Sequence, residues 1–131
     1  MSKWTNEQLL AINSEGKNII VSAGAGSGKT AVLSERVLRK INDNVPINKL
    51  LILTFTNEAA KEMKDRIRKK LINEKKSDQL NLLEESYITT FDSYSLSIVK
   101  KYHYLLNVSK DIKIIDDTII SNLKDKFIDE I

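Results

Sequence analysis

The chain has no cysteine, one proline, one histidine and one tryptophan among its 131 residues. Without cysteine it can form no disulfide and no thiolate metal site, a composition that suits a reducing compartment. Its lone His103 lies between Tyr102 and Tyr104 on an expected helix, where packing explains it better than catalysis. Long apolar runs are also absent. The longest clear one, Leu50 to Phe55, falls far short of the ~20 residues that span a bilayer. The opening Met-Ser-Lys-Trp-Thr-Asn-Glu-Gln lacks the apolar core of a signal peptide, so a cytoplasmic protein with no membrane partner is expected. A net charge of +3 is too small to establish a nucleic-acid partner by itself. The distribution says more: residues 61–76 hold eight Lys/Arg against Glu62, Asp65 and Glu74. Such a run reads first as a solvated helix face and second as a phosphate-backbone footprint. This length allows one modest core, hence one domain or one plus part of another.

What is present is concentrated in one turn. Residues 23 to 30 read Ala23-Gly24-Ala25-Gly26-Ser27-Gly28-Lys29-Thr30, after the apolar run Asn18–Ser22 and before a helix-forming stretch. Glycines at 24, 26 and 28 permit positive φ and close backbone approach to a ligand. Their amides, with the following helix N-terminus, form an anion-binding concavity. Lys29 is placed to reach the outer phosphates of a nucleoside triphosphate and the Thr30 hydroxyl to ligate Mg²⁺. The strict phosphate-loop pattern opens with Gly, and Ala23 stands in that position.

The remaining chain alternates strand and helix. A short helix is expected over Thr5–Asn13 with Thr5 as N-cap, then a buried strand over Asn18–Ser22. A helix follows over Lys29–Ile41, with Val32, Leu33, Val37, Leu38 and Ile41 on one stripe. Asn42 to Pro46 breaks it, and Leu50–Thr54 reads as a strand covered on both faces of a parallel sheet. Asn57 caps a long helix to Asn73, its buried side marked by Ala59, Ala60, Met63, Ile67 and Leu71. A polar bridge containing Leu80, Leu82 and Leu83 leads to a third strand, Tyr87–Thr90. A helix over Ser93–Leu106, an extended piece at Ile112–Ile115 and a last helix from Asp117 complete the pattern. Right-handed βαβ crossovers and a parallel sheet follow from the alternation.

Three further positions are ambiguous by themselves. Phe55, beside Thr54, Thr56 and Asn57 where a strand meets its helix, can offer a ring to a base or simply fill a core. Thr90 and its neighbours repeat that arrangement, although Thr/Ser clusters are common turn chemistry. Gln8 completes a Thr-x-x-Gln capping box with Thr5, and its amide could equally read an adenine edge. Trp4 reads as a hydrophobic anchor.

Taken in order, Trp-Thr-Asn-Glu-Gln, Ala-Gly-Ala-Gly-Ser-Gly-Lys-Thr, Leu-Thr-Phe-Thr-Asn-Glu-Ala-Ala-Lys-Glu-Met and Thr-Thr-Phe-Asp-Ser-Tyr resemble the N-terminal part of superfamily 1 DNA helicases of the UvrD/Rep type. Within that superfamily, Gly-Lys-Thr-Ala-Val-Leu and Ile-Val-Lys-Lys-Tyr-His-Tyr-Leu-Leu are similar to the A subunits (AddA) of bacterial ATP-dependent helicase/nuclease complexes. The resemblance implies an α/β, RecA-like P-loop NTPase fold: a parallel sheet flanked by helices, incomplete here. Residues 1–92 would belong to that ATP-binding domain and 93–131 would start a helical insertion. It implies ATP and Mg²⁺ as cofactors, with Gln8 contacting adenine and the loop residues 23–30 the phosphates. It also implies single-stranded DNA on Phe55, Thr56, Asn57 and Thr90. Its further partners would be double-stranded DNA and a second, AddB-like subunit, in double-strand break repair.

Two departures stand out. Asp92 occupies a position where the family carries His, and a carboxylate beside a DNA phosphate is repulsive, so that contact is not expected of Asp92. The acidic Walker B motif and the arginines of a second RecA-like domain cannot be placed. Asp116-Asp117 after Ile112–Ile115 lacks the Glu-x-Gln continuation, and Asp117 reads as a helix cap. The expectation is therefore the front piece of a longer protein, able to hold ATP but not to hydrolyse it. A repair helicase without a nuclease, a small P-loop phosphotransferase and a non-catalytic nucleic-acid-binding module stay open as alternatives.

Overall fold

Thr5 opens the first helix with a reciprocal pair of hydrogen bonds. Its hydroxyl accepts from the Gln8 amide N–H at 3.2 Å, and the Gln8 side-chain oxygen accepts from the Thr5 N–H at 3.0 Å. This capping box satisfies two otherwise orphaned donors and fixes α1, Asn6–Asn13. The computed structural model describes residues 4–16, 18–115, 119–121, 124 and 128. It divides into two units, Met1–Thr90 and Phe91–Ile131. The expected helix start at Asp117, and the pair Asp116-Asp117, lie outside the described residues.

In the first unit, α2 (Lys29–Asn42) starts behind Gly28, whose left-handed backbone (φ 83°) ends the loop. A short 3₁₀ turn, Ile47–Lys49, delivers the chain into β1, Leu51–Thr54. Helix α3 (Asn57–Asn73), helix α4 (Ser77–Leu83) and strand β2 (Tyr87–Thr90) follow. Strands β1 and β2 pair in parallel, Leu51 opposite Tyr87 and Thr54 opposite Thr90. Such a pairing needs a crossover, and α3 with α4 supplies it. The core gathers Val37, Leu38 and Ile41 of α2, Ile47, Ile52 of β1, Met63, Ile67 and Leu71 of α3, Leu83 of α4 and Ile88 of β2. Each such side chain contributes roughly 1.5–3 kcal/mol by leaving water.

Several expectations need correction. Residues 18–22 form no strand: they are exposed, and Ile20 is 96% accessible. Their β-branched residues favour extension, but a strand exists only where its N–H and C=O groups find a partner, and the sheet described holds β1 and β2 alone. Strand β1 is covered on one face, where Ile52 packs with the α2 and α3 side chains, while Leu51 on the other face is 47% exposed. On α2 the stripe turns slightly: Leu33 is exposed and Ser34 is buried, its hydroxyl donating to the Ala31 carbonyl at 2.8 Å. Thr56, not Asn57, caps α3, its hydroxyl accepting from the Ala59 N–H at 3.1 Å, and Ala59 is exposed.

The polar bridge is a helix. Seven residues without a side-chain cap are too few to hold α4 by themselves, so tertiary contacts hold it. Leu83 is fully buried, Gln79 accepts from the Ile47 N–H at 3.0 Å, and Glu84 pairs with Lys64 at 2.9 Å and with Arg68. Much of the basic run on α3 is thus neutralised: Arg66 pairs with Glu62, Arg68 also with Asp65, and Lys70 with Glu35 of α2.

The second unit contains α5 (Phe91–Lys101) and α6 (His103–Leu106), in place of the single helix expected over Ser93–Leu106. The break falls at Tyr102, and α6 ends at Asn107 in the left-handed region that Asn tolerates. His103 Nδ1 donates to the Val108 carbonyl at 3.2 Å, a structural use of that ring. No helix among the described residues is long and apolar enough to cross a membrane.

Candidate functional site

Gly26 and Gly28 adopt φ of 74° and 83°, the left-handed region where a Cβ is strained, and so bend residues 23–28 back over the start of α2. The bend is closed by Ser27 N–H to the Gly24 carbonyl at 3.4 Å. No side chain caps α2, so its first amides and the positive end of its dipole face the loop. Lys29 is folded onto that loop. Its ammonium donates to the carbonyls of Ala23 at 3.0 Å and Gly24 at 2.7 Å. A cation holding two carbonyls at a helix N-terminus is a site in which an incoming anion can replace both acceptors.

A cavity of about 920 Å³ opens over the loop, with Gln8, Ala11, Ser27, Lys29, Val32 and Arg36 among its walls. Gln8 joins its two sides. While its side-chain oxygen serves the cap of α1, its amide nitrogen donates to the Ser27 carbonyl at 3.1 Å. Each of these groups has capacity left, a second N–H and a second lone pair, so a base edge could bind without breaking either contact. Among the described residues no cluster of three or more His, Cys, Asp or Glu could hold a metal ion unaided. Thr30, half-buried in the first turn of α2, follows Lys29 directly.

The docking of α1 places Gln8 there. This helix buries only Ile12 and has no basic residue in its own last turn. Arg36 of α2 donates to the Ala11 and Ile12 carbonyls at 2.8 and 3.2 Å, satisfying C-terminal acceptors that α1 cannot satisfy itself. Arg39 bonds Asn13, and Lys40 pairs with Glu15 at 3.5 Å. Trp4 lies beneath the Lys70 ammonium at 5.9 Å, and Lys70 is itself paired to Glu35. Sequence reasoning missed Arg36. The signal was the spacing of Arg36, Arg39 and Lys40 on one face of α2, which also suits a helix favouring cations near its own C-terminus.

The second group of expected residues sits at the β1–α3 turn. The Thr54 hydroxyl donates to the Thr56 carbonyl at 2.9 Å, and the Thr56 side chain caps α3. These bonds hold a tight corner from which Phe55 projects, 93% exposed, so it is not a core residue. The Thr56 hydroxyl accepts one bond and keeps its proton to donate; Asn57 is exposed beside it. Thr90 differs: it is buried, 7% exposed, at the end of β2. Asp92 is exposed in the first turn of α5, where a carboxylate complements the helix dipole. Different elements carry the two groups: α2 holds the loop at 23–30, and the junction of β1 with α3 holds Phe55.

Residues 4–130 match the UvrD/REP helicase N-terminal domain. The chain is 43% identical, over 99% of its length, to the ATP-dependent helicase/nuclease A subunit of Geobacillus thermodenitrificans strain NG80-2, of which it covers 11%. It is also 43% identical, over 99% of its length, to the protein of that name from Bacillus licheniformis, covering 12% of it. Against the Lactobacillus johnsonii protein of the same name the identity is 40% over 100% of the chain and 12% of the relative. The chain therefore spans about a tenth of the length of the curated relatives it matches.

Proposed function

The chain belongs to the UvrD/REP helicase family, and on that premise we propose that it binds ATP over α2 and single-stranded DNA at the β1–α3 turn. It does so as part of a larger ATP-dependent helicase/nuclease that processes broken DNA with a second, AddB-like subunit. In this reading residues 1–92 are the first part of a RecA-like P-loop domain, and residues 93–131 begin a helical insertion. The observation that carries it is the loop at 23–30: three glycines, an uncapped helix start and a lysine held by replaceable carbonyls.

The residues present suit a magnesium triphosphate. Lys29 exchanges its hold on Ala23 and Gly24 for the outer phosphates, and Gly26 and Gly28, which line the cavity with it, bring their backbone close to them. Thr30 contributes a hydroxyl ligand to an ion that enters with the nucleotide. When bound, Mg²⁺ neutralises charge on the β- and γ-phosphates. Gln8 contacts the adenine. Phe55 stacks on a base, Thr56 and Asn57 reach the DNA backbone, and Thr90, opposite Thr54 at the same end of the two-stranded sheet, belongs to the same interface.

Titration calorimetry of the chain with ATP and Mg²⁺ tests the reading. Binding is expected, with a loss of about 10–100-fold in Lys29→Ala, since a charge-assisted hydrogen bond contributes about 1.5–3 kcal/mol. ATP affinity indifferent to Lys29→Ala would sink it. Turnover of ATP by this chain that requires Lys29 would instead show that it carries its whole hydrolytic apparatus.

A further inference from the structure

The cavity wall that chooses the base is held by a residue with no part in the phosphate loop. We propose that Arg36 is a positioning residue for base selection: clamped on the last carbonyls of α1, it holds Gln8 against the Ser27 carbonyl and so sets the preference for an adenine nucleotide over a bare polyphosphate. The inference rests on the nucleotide-binding reading above and goes beyond it in naming what makes the site read a base.

An eight-residue helix is marginal in water, and α1 gains limited burial, with Ile12 buried and Leu9 and Ala11 half-buried. Its N-terminus is secured by the capping box, but its C-terminal carbonyls depend on α2. Arg36 is seven residues beyond Lys29, two turns along the same helix, so both groups lie on one side of a rigid rod. Phosphate contact and the placement of Gln8 thus refer to a single element. Arg39 bonds the side chain of Asn13, the last residue of α1, and Lys40 pairs with Glu15 past its end, so these two hold side chains while Arg36 alone holds the helix carbonyls. Removing the Arg36 guanidinium leaves the loop and Lys29 intact while freeing α1, and with it Gln8, to swing from Ser27.

The experiment compares binding of ATP and of inorganic tripolyphosphate, each with Mg²⁺, to the wild-type chain and to Arg36→Met, Arg36→Lys, Gln8→Ala and the Gln8→Ala/Arg36→Met pair. Arg36→Met is expected to weaken ATP about tenfold and to leave tripolyphosphate within about twofold of wild type. Arg36→Lys, which keeps the charge and a donor, restores most of the loss. The double variant binds ATP no worse than Gln8→Ala, because Arg36 acts through Gln8. Arg36 also lines the cavity, and additive losses would show a direct contact with ligand and overturn the proposal. So would equal losses for both ligands, or ATP affinity unchanged in Arg36→Met. Hydrogen exchange at the Leu9 and Leu10 amides without nucleotide is a separate check: it accelerates in Arg36→Met if the clamp holds α1, and an unchanged rate overturns the clamp whatever the ligands do. A wild-type chain that binds neither ligand overturns the nucleotide reading, and base selection with it.

Discussion

The side-chain nitrogen of Gln8 donates to the Ser27 carbonyl at 3.1 Å, across 19 residues of sequence. Replacing Gln8 by Glu keeps the acceptor that caps α1 and turns the donor into a second anionic oxygen facing a carbonyl. Far-UV circular dichroism should therefore stay as in wild type, while ATP affinity falls by about tenfold or more. Affinity held at the wild-type level would mean that the Gln8–Ser27 contact does not matter to the nucleotide.

Phe55 offers the cleanest separation of binding from folding. With 93% of its surface exposed, its truncation to Ala should leave the melting temperature almost unchanged. If the ring stacks on a base, affinity for a short oligothymidylate falls by roughly 5–150-fold, from about 1–3 kcal/mol of stacking. Fluorescence anisotropy measures it, and an unaltered isotherm would remove Phe55 from the DNA interface.

Glu84 predicts a pH dependence. Its hydrogen bonds to Lys64 and Arg68 hold the carboxyl below its ordinary value of 4.5. A depressed folded-state value contributes stability above the unfolded-state pKa, and that contribution disappears as pH falls through the lower folded value. Wild type should melt above Glu84→Gln at pH 7, and the gap should close as the pH is taken below 4.5. A gap that stays constant into that acid range would place the effect elsewhere.

Leu83 and Ile20 test where the core ends. Leu83 has no exposed surface and Ile20 has 96%. Truncating Leu83 to Ala should cost about 2–5 kcal/mol, much of what a small domain possesses. Replacing Ile20 by Ser should shift the urea midpoint hardly at all. Comparable losses would show that residues 18–22 pack in solution as they do not here.

What the sequence made legible was local or periodic. The Thr5–Gln8 box is written in four consecutive residues, and the buried side of α3 at Ala60, Met63, Ile67 and Leu71 repeats at helical spacing. The order of motifs pointed to the helicase family, and two of the loop's three glycines, Gly26 and Gly28, take the positive φ that the pattern allows, whereas Gly24 does not. What escaped depends on partners distant in sequence. Helix α4 exists because Leu83, Gln79 and Glu84 meet α3 and the 3₁₀ turn. Asn18–Ser22 has the composition of a strand but lies beside no other in the sheet described. Thr56 outcompetes Asn57 as cap by one residue, a margin that composition cannot resolve. Arg36 left only the spacing of cations along α2 as a signal, because its acceptors are backbone carbonyls, which every sequence has.

Gly28 is where the turn and the helix contact meet. A Cβ built there would lie 3.3 Å from the side-chain nitrogen of Gln8, on a backbone at φ 83°. Any other residue would at once disfavour the turn that starts α2 and crowd the amide that joins α1 to the loop. In a saturation mutagenesis scan this position should favour Gly, with Asn, which tolerates the left-handed region, the least damaging replacement, and shortening Gln8 would relieve the crowding but not the handedness. For a β-branched or bulky residue at Gly28, a change at Gln8 thus compensates only half of the cost, which narrows the routes by which this turn can vary.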